Sequence, residues 1–424
     1  MIKTSKHSIK FANTGKKQKL AEFLSMYNSA LSFYIDYFWN NKIVWGKSVL
    51  DVKNNKLDVP PFISTASVPK PYTELSARVV QMVATEALWL IKSRIELRRK
   101  QLYILALKMR EGHSNSIKLL QSKIDSTPLI KPIRLHKSCA VFSTSCCEFI
   151  PSNGEFDGFL KLKSLGKVFG TISIPIKFTK HTNSLRSKNY KQMTTWRVTN
   201  SHAMSTWELT PAKTKGDRVL GADQGLNTCL SLSDGQTTQK CSHGHDLKSI
   251  IERMGRKKYG SKAFKRCQAH RTNYINYSIN RLNLSNVSEL RLEKLRQMRS
   301  GKRTSSVLNR WTYTQINAQI ISRCEELGVP VKEQSSAYRS QRCSRCGWTQ
   351  KSNRKGKEFI CKSCGEKHDA DINGALNHEA DLYQLPFGFY KLSLNRSGFF
   401  WTTDGVYDEF GQELTVPDVL NTKC

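Results

Sequence analysis

Four cysteines constrain this chain more than any other feature. Cys343, Cys346, Cys361 and Cys364 read C-x2-C, fourteen residues, then C-x2-C. A Cys-x-x-Cys turn aims two thiolates at one centre, and two such turns complete the tetrahedral sulfur cage that zinc prefers. Gly347 and Gly365 follow the two pairs, where a tight turn needs a residue free of Cβ strain. One structural zinc in a ribbon over residues 340–365 is the expectation. Beyond the last cysteine, Asp369 and Asp371 stand at what reads as the start of a helix. A carboxylate pair beside a zinc ribbon points to nucleic-acid chemistry rather than a bare zinc finger.

Charge narrows the partners. The 424 residues carry 68 Lys plus Arg against 34 Asp plus Glu, a net charge of +34. An excess of that size attracts polyphosphate and makes affinity steeply salt-dependent. No run of eighteen apolar residues and no apolar leader after MIKTSKHSIK supports a membrane or secreted reading. The other eight cysteines (Cys139, Cys146, Cys147, Cys229, Cys241, Cys267, Cys324, Cys424) lack framework spacing. That pattern implies a reducing compartment, so the chain is read as intracellular, cytoplasmic and nucleoid-associated.

In chain order, residues 2–10 suggest a first strand. Thr14 reads as the N-cap of a helix carrying Leu20, Phe23, Leu24, Tyr27, Leu31, Tyr34 and Phe38 at helical spacing, aromatics better suited to a core than to base stacking. A loop holding Pro60, Pro61, Pro69 and Pro71 follows. Residues 75–111 form the longest helical pattern, with Val79, Val83, Ala87, Leu90, Ile91, Leu97, Leu102 and Leu105 as its buried stripe. Arg94, Arg98, Arg99 and Lys100 are read as phosphate contacts. From Pro128 to Thr210 short β-like runs alternate with Gly, Pro and Asn, as in a small barrel or sheet. A basic loop, Lys177 to Lys191, among aromatics suits a strand-binding surface. After Gly216 an α/β layout with a mixed sheet begins. Its strands are Val219 to Gly225, ending in a carboxylate and a glycine, Leu226 to Ser233, a third after the Asp234-Gly235 turn, Val287 to Leu295, and Val329 to Glu333. Helices are expected over 246–282 and from about Trp311 to Leu327.

A phosphodiester-cleaving site needs acidic residues on rigid elements, because magnesium prefers oxygen ligands. Two ions about 4 Å apart can activate water and stabilise the leaving oxygen. Asp223 ends the first strand of this domain, Glu293 ends the fourth, and Asp371 opens the last helix. Glu289, four residues before Glu293 on the same strand face, competes with it, and Asp369 competes with Asp371.

These segments carry a family resemblance. GADQGLNTCLSLSDG, LRLEKL, YRSQRCSRCG and CKSCGEKHDADINGALN resemble, in order, the motifs of the TnpB (OrfB) nucleases of insertion sequences and of compact type V CRISPR effectors. The resemblance is tight over residues 216–378 and looser before. It implies a multi-domain α+β and α/β chain: a wedge-like β-barrel (1–14 and 128–215) with a helical recognition insert (15–127). An RNase H-like RuvC domain (216–339 and 366–390) follows, interrupted by the zinc ribbon (340–365). Residues 391–424, with the aromatic runs FGFYKL and SGFFW just before and inside them, are an extension that either packs on the nuclease domain or binds a partner.

By the same resemblance Asp223, Glu293 and Asp371 are catalytic ligands of two magnesium ions, Glu293 being preferred for the LRLEKL match and Asp371 for the Ile-Asn that follows it. The four cysteines are the zinc ligands. Gln224 and Gly374 depart from the family pattern, standing where an apolar residue and an alanine are usual. The implied activity is RNA-guided DNA cleavage, with a guide RNA and double- and single-stranded target DNA as partners and no membrane; a homodimer is allowed. Basic loops at 253–266 and 296–303 would hold nucleic-acid backbones, and Arg339, Arg342, Arg345 and the ribbon lysines would guide single-stranded DNA. The alternatives are a guided repressor without nuclease activity and a zinc-ribbon DNA-binding protein without a guide. Transposon, phage and CRISPR contexts stay open.

Overall fold

The structure, a computed structural model, describes residues 1–41, 68–110, 114–126, 131–132, 139–295, 310, 312–385 and 389–414. Pro60, Pro61, the basic stretch Arg296 to Arg303, Trp311 and the last part of the extension lie outside the described residues. The chain divides near residue 209 into two units, each with its own core.

In the first unit, β1 (Ile2–Ser8) pairs antiparallel with β7 (His202–Glu208). β7 pairs with β6 (Lys191–Thr199), and β6 with β2 (Cys139–Phe142). A second sheet joins β3 (Cys147–Pro151), β4 (Gly158–Leu162) and β5 (Ile172–Ile176), also antiparallel. Along β7 Ala203, Ser205 and Trp207 alternate inward, as period two requires. The expected barrel is not closed: among the described residues these are two open sheets. Side chains join them instead of ladder bonds. Phe149 of the smaller sheet stacks on Trp196 of the larger at 5.6 Å between ring centroids.

The helical insert supplies α1 (Thr14–Asn41), α2 (Ala77–Arg110) and α3 (Ser114–Ser126). The cap of α1 is Asn13 rather than Thr14, since the Asn13 side chain accepts from the Lys16 amide at 2.9 Å. All seven apolar residues expected to be buried on α1 are buried. On α2 the core stripe holds through Ile95, but Leu97 is exposed because the helix has by then run past the core. The basic segment after Lys177 is not all loop. Thr179 and Thr182 form a reciprocal capping box that starts α4 (Lys180–Ser187), a signal present in the sequence and overlooked there. The aromatics beside it face inward: Tyr190 is buried, and Phe178 stacks on Phe149 at 5.7 Å. A strand-binding surface there loses its aromatic platform.

The second unit is built on a four-stranded sheet in the order β11 (Val331–Ser335), β10 (Val287–Lys294), β8 (Arg218–Asp223) and β9 (Ser231–Leu232). The first three run parallel and β9 antiparallel, giving the mixed sheet that was expected. The second strand is shorter than expected, and the third reduces to a bridge between Ser231 and Thr237 around the Asp234-Gly235 turn. α5 (Leu247–Gly255), α6 (Lys262–Asn280) and α7 (Tyr313–Leu327) pack their apolar faces into the core with Leu220, Leu230, Leu290 and Leu292.

The ribbon follows: β12 (Trp348–Thr349), β13 (Arg354–Lys355), β14 (Glu358–Ile360) and β15 (Lys367–Asp369), then α8 (Ala370–Glu379). α8 lies so close on β8 that a Cβ at Gly221 would meet the Ala375 carbonyl oxygen at 1.9 Å. The extension resolves one of its open readings in part. β16 (Phe399–Trp401) pairs with the ribbon strand β12 and turns back through β17 (Val406–Tyr407), burying Phe399, Trp401 and Val406 with Phe389. Described up to residue 414, it is part of the ribbon's support. No helix among the described residues is long and apolar enough to cross a membrane.

Candidate active site

The three carboxylates chosen from sequence line one cleft of about 430 Å³, together with Gln224, Lys248, Arg354 and Lys357. β8 delivers Asp223 at its C-terminal end and the parallel neighbour β10 delivers Glu293, so the sheet fixes both. Asp371 sits in the first turn of α8, where the helix dipole favours a negative charge.

The competing acids have other work. Asp369 caps α8, accepting from the amides of Asp371 at 2.8 Å and Ile372 at 3.3 Å. Glu289 holds Arg291 at 2.7 Å, and that guanidinium reaches the Glu379 carbonyl at 2.6 Å, tying β10 to the end of α8.

The electrostatics suit a divalent cation. Burial pushes the Asp223 carboxyl well above the usual carboxylate range, and the charges of Glu293 and Asp371 push it further. Burial likewise raises Glu293 to about 7, although a backbone hydrogen bond from Gln224, its bond with Asp223 and the charge of Arg354 oppose the shift. Burial makes both groups resist ionising, and at Asp223 neighbouring like charge adds to it; a bound cation would favour the charged form of each. An unpartnered buried oxygen, Oε1 of Gln224, lies on the same wall. The residues therefore fit magnesium by donor type and by charge.

Sequence reasoning missed Arg354 and reached Lys357 only as one of the ribbon lysines. Arg354 of β13 holds Asp371 at 3.2 Å, and Lys357, two residues after that strand, also bonds to Asp371 and reaches Thr228 at 3.1 Å. The ribbon thus contributes two positive side chains to the cleft wall. His378 was missed as well. Its ring nitrogen comes within 4.8 Å of ligand atoms on Asp223 and Glu293, a close cluster to which Asp371 does not belong. Burial and the charge of Arg339 lower its pKa to about 3, so the ring is neutral, and its Nδ1 has no hydrogen-bond partner. The spacing Asp371, Gly374, His378 marks one helix face, a signal that could have exposed it.

The two departures from the family motifs are accommodated differently. The Gln224 side-chain amide bonds to Asn317, which satisfies its nitrogen. At Gly374 a Cβ would come within 3.1 Å of the Asp223 carboxylate, so the glycine lets α8 lie against that acid.

The structure gathers the four cysteines into one cage, their sulfurs all within 4.8 Å of one another. Cys343 to Cys364 is 3.7 Å and Cys346 to Cys361 is 3.6 Å. Disulfide sulfurs lie about 2 Å apart. Sulfurs at about 2.3 Å from a tetrahedral zinc lie about 3.8 Å apart. Gly347 (φ +84°) and Gly365 (φ +75°) close the turns in the left-handed region. Asn373 and Asn377 of α8 donate to the Arg342 carbonyl at 2.8 and 2.7 Å, fastening the helix that bears Asp371 to the cage.

Two expected DNA guides prove to be braces. Arg339 and Arg342 are buried, Arg342 donating to the Trp401 and Cys343 carbonyls and to Asn377. Arg339 donates to the Ser335 and Asn377 carbonyls and covers the Trp401 ring at 5.3 Å. Their charges are absorbed by backbone oxygens rather than offered to phosphate. Arg345 stays largely exposed beside Glu366 at 2.8 Å.

Comparison with known proteins places this region. Residues 313–378 match the family described as Cas12f1-like, TNB domain. Over 74 residues the chain is 42% identical to the CRISPR-associated endodeoxyribonuclease Cas12f1 of Sulfoacidibacillus thermotolerans, covering 17% of this chain and 18% of that protein. Over 62 residues it is 39% identical to the Cas12f1 of Syntrophomonas palmitatica, covering 14% and 12%. The matched stretches thus span less than a fifth of those relatives. A cryo-EM structure of a Cas12f1-sgRNA-target DNA complex aligns with 86% of this chain and 82% of its own at 15% identity and a TM-score of 0.46. The resemblance to compact type V effectors read from the motifs is borne out in this segment.

Proposed function

We propose that this chain, similar in its ribbon region to the compact type V effectors, is a metal-dependent DNA endonuclease directed by a guide RNA. The observation that carries the reading is the meeting of Asp223, Glu293 and Asp371 from two strands and a helix on one cleft wall. Acids so separated in sequence that converge in partial burial with raised carboxyls mark a functional-site candidate, and a divalent cation is the partner that suits their charge. The relatives similar over the ribbon region are endodeoxyribonucleases, which supports DNA as the substrate, and the guide rests on the motif resemblance and the excess of positive charge.

In this reading Asp223, Glu293 and Asp371 would hold two magnesium ions. Bound there, magnesium would supply an activated water and charge stabilisation for the leaving oxygen of a phosphodiester. The chain's own residues do the remainder. β8 and β10 keep Asp223 and Glu293 in register, and the Asp369 cap fixes the first turn of α8 beneath Asp371. Arg354 and Lys357 balance Asp371 when no cation is present, and lie where a scissile phosphate would need neutralising. Lys248 adds a further positive charge to the cleft lining. The RuvC-like assignment of the second unit rests on its parallel strands, the order of its acids and the ribbon inserted before α8. The wedge and recognition assignments of residues 1–215 rest on layout. The net charge of +34 supports backbone binding of a guide heteroduplex.

The test is purification of the full chain from cells expressing its native locus, with sequencing of any RNA that accompanies it. A discrete RNA ending in a segment matching DNA, and magnesium-dependent cleavage of that DNA, is the expected result. Asp223→Ala should keep the RNA and lose the cleavage. A defined RNA with DNA binding but no cleavage would make the chain a guided repressor. No defined RNA would overturn the guided reading.

A further inference from the structure

Between β9 and α5 the chain runs Cys241, Ser242, His243, Gly244, His245. The Cys241 amide donates to the His245 carbonyl at 2.9 Å, and the Gly244 amide donates back to the Cys241 carbonyl at 2.8 Å, with Gly244 at φ +75°. This is the bonding of a cage turn shortened by one residue. There the Cys343 amide donates to the Trp348 carbonyl at 2.8 Å and the Gly347 amide to the Cys343 carbonyl at 3.0 Å. In the cage the residue before the glycine is a ligand, Cys346; here it is His243.

A third donor comes from α6. His270 brings Nε2 to 3.6 Å from the Cys241 sulfur, and the ligand atoms of Cys241, His243 and His270 all lie within 4.8 Å of one another. Zinc bound tetrahedrally at its usual distances to sulfur and nitrogen separates those two atoms by about 3.6 Å. The His245 ring stands 5.7 Å from His270 and the His243 ring 6.1 Å from it. A thiol–imidazole hydrogen bond accounts for the Cys241 contact alone. It gives no reason for two further imidazoles to converge there.

We propose that Cys241, His243 and His270 hold a second zinc ion, with the fourth position left to water or to a turn of the neighbouring His245 ring. Soft sulfur with imidazole selects zinc over the magnesium of an oxygen site. The ion fastens the loop at 241–245 to α6. Asp246, the next residue, caps α5 through the Ser249 amide at 2.8 Å, and α5 carries Lys248 into the carboxylate cleft. The second zinc is a staple for that wall, outside the reaction itself.

Metal analysis of the full chain, purified without a polyhistidine tag, tests this independently of any nuclease activity. Two zinc ions per chain are expected, falling to one in Cys241→Ser/His270→Ala and to one in Cys343→Ser/Cys361→Ser. Cobalt substitution adds a signature: the new site gives the charge-transfer band of one thiolate, the cage that of four. One zinc in the unaltered chain, or two retained in a folded Cys241→Ser/His270→Ala protein, overturns the proposal. Should that variant fail to fold, the milder His243→Ala decides it: a chelator should strip one of the two ions at least tenfold faster, and unchanged release overturns the site.

Discussion

The cysteine cage and the carboxylate cleft come close along the chain only at Asp371, just past Cys364, and they handle crowded donors in opposite ways. The cage closes four sulfurs around one centre, and its turns are shaped by their own backbone bonds. The cleft leaves its acids on an open wall and sets Arg354 and Lys357 against Asp371. A closed site makes its metal part of the fold, whereas an open one keeps its metal exchangeable and free for substrate. Because the cage also carries Arg354, Lys357 and the asparagine clamp on α8, the cleft depends on the cage and not the reverse.

The largest effect should come from breaking the cage. Zinc binding supplies about 10–16 kcal/mol in small zinc-finger peptides. Cys361→Ser is therefore expected to unfold the ribbon, exposing Trp348 and Trp401 to solvent. Tryptophan fluorescence and zinc content should change together, and cleavage should vanish with them. A variant that loses zinc yet keeps native fluorescence and cleavage would reverse the dependence argued above.

Asp223→Asn should do the opposite: destroy activity and spare the fold. Loss of one ligand charge at a metal-assisted site is expected to slow cleavage by roughly 10³-fold or more. The neutral amide also removes a buried, repelled charge, so the melting temperature should hold or rise. A fall of several degrees would mean that Asp223 is structural. His378 sharpens the same contrast, because its neutral ring lies beside Asp223 and Glu293 without being part of the triad.

The cage was legible because its ligands are local in sequence, two residues between partners in each turn. A lone Asp at a strand end is usually a turn or cap residue, so Asp223 and Glu293 were legible only through their order beside the ribbon and the motifs around them, LRLEKL deciding for Glu293 over Glu289. The Ile-Asn pair chose Asp371 over Asp369 in the sequence, and the helix start gives the physical reason, since Asp369 is its cap and Asp371 the cleft-facing neighbour. Arg354 and Lys357 gave no such sign: in a chain this basic, a ribbon arginine looks like any surface charge. The same abundance hid the burial of Arg339 and Arg342, whose partners are carbonyls that no sequence pattern lists. Cys241 and His270 are 29 residues apart, so only the packing of α6 brings them together. Whether the β module closes into a barrel depends on pairing between its two sheets, which strand propensity does not encode.

Acidity separates the two sites further. Burial raises Glu293 from the ordinary glutamate value of 4.5 to about 7. Between those values the unfolded chain releases this proton while the folded chain keeps it, so stability falls as pH rises through the window. Without divalent metal this group alone should cost on the order of 3 kcal/mol by pH 7, and Asp223 acts in the same direction. Thermal melts of the zinc-loaded chain without added magnesium should therefore drop from pH 5 to pH 7.5, and magnesium should restore more at pH 7.5 than at pH 5. Equal stabilisation at both values would break the link between the raised carboxyls and metal binding.

The smallest change tests how closely the helix must approach. Gly374 is where the family motif usually has alanine, and a Cβ there would sit 3.1 Å from Asp223. That separation is a few tenths of an ångström too tight, so the methyl group must displace the carboxylate rather than prevent folding. Ligand misplacement by such a fraction is expected to slow cleavage roughly tenfold, since catalysis falls steeply with position. Zinc content and melting temperature should stay unchanged, because the cage and the clamp at Asn373 and Asn377 do not touch that face. Gly374→Ala with full activity would show that Asp223 has room to move. The glycine would then be an incidental departure rather than one that sets the distance between α8 and β8.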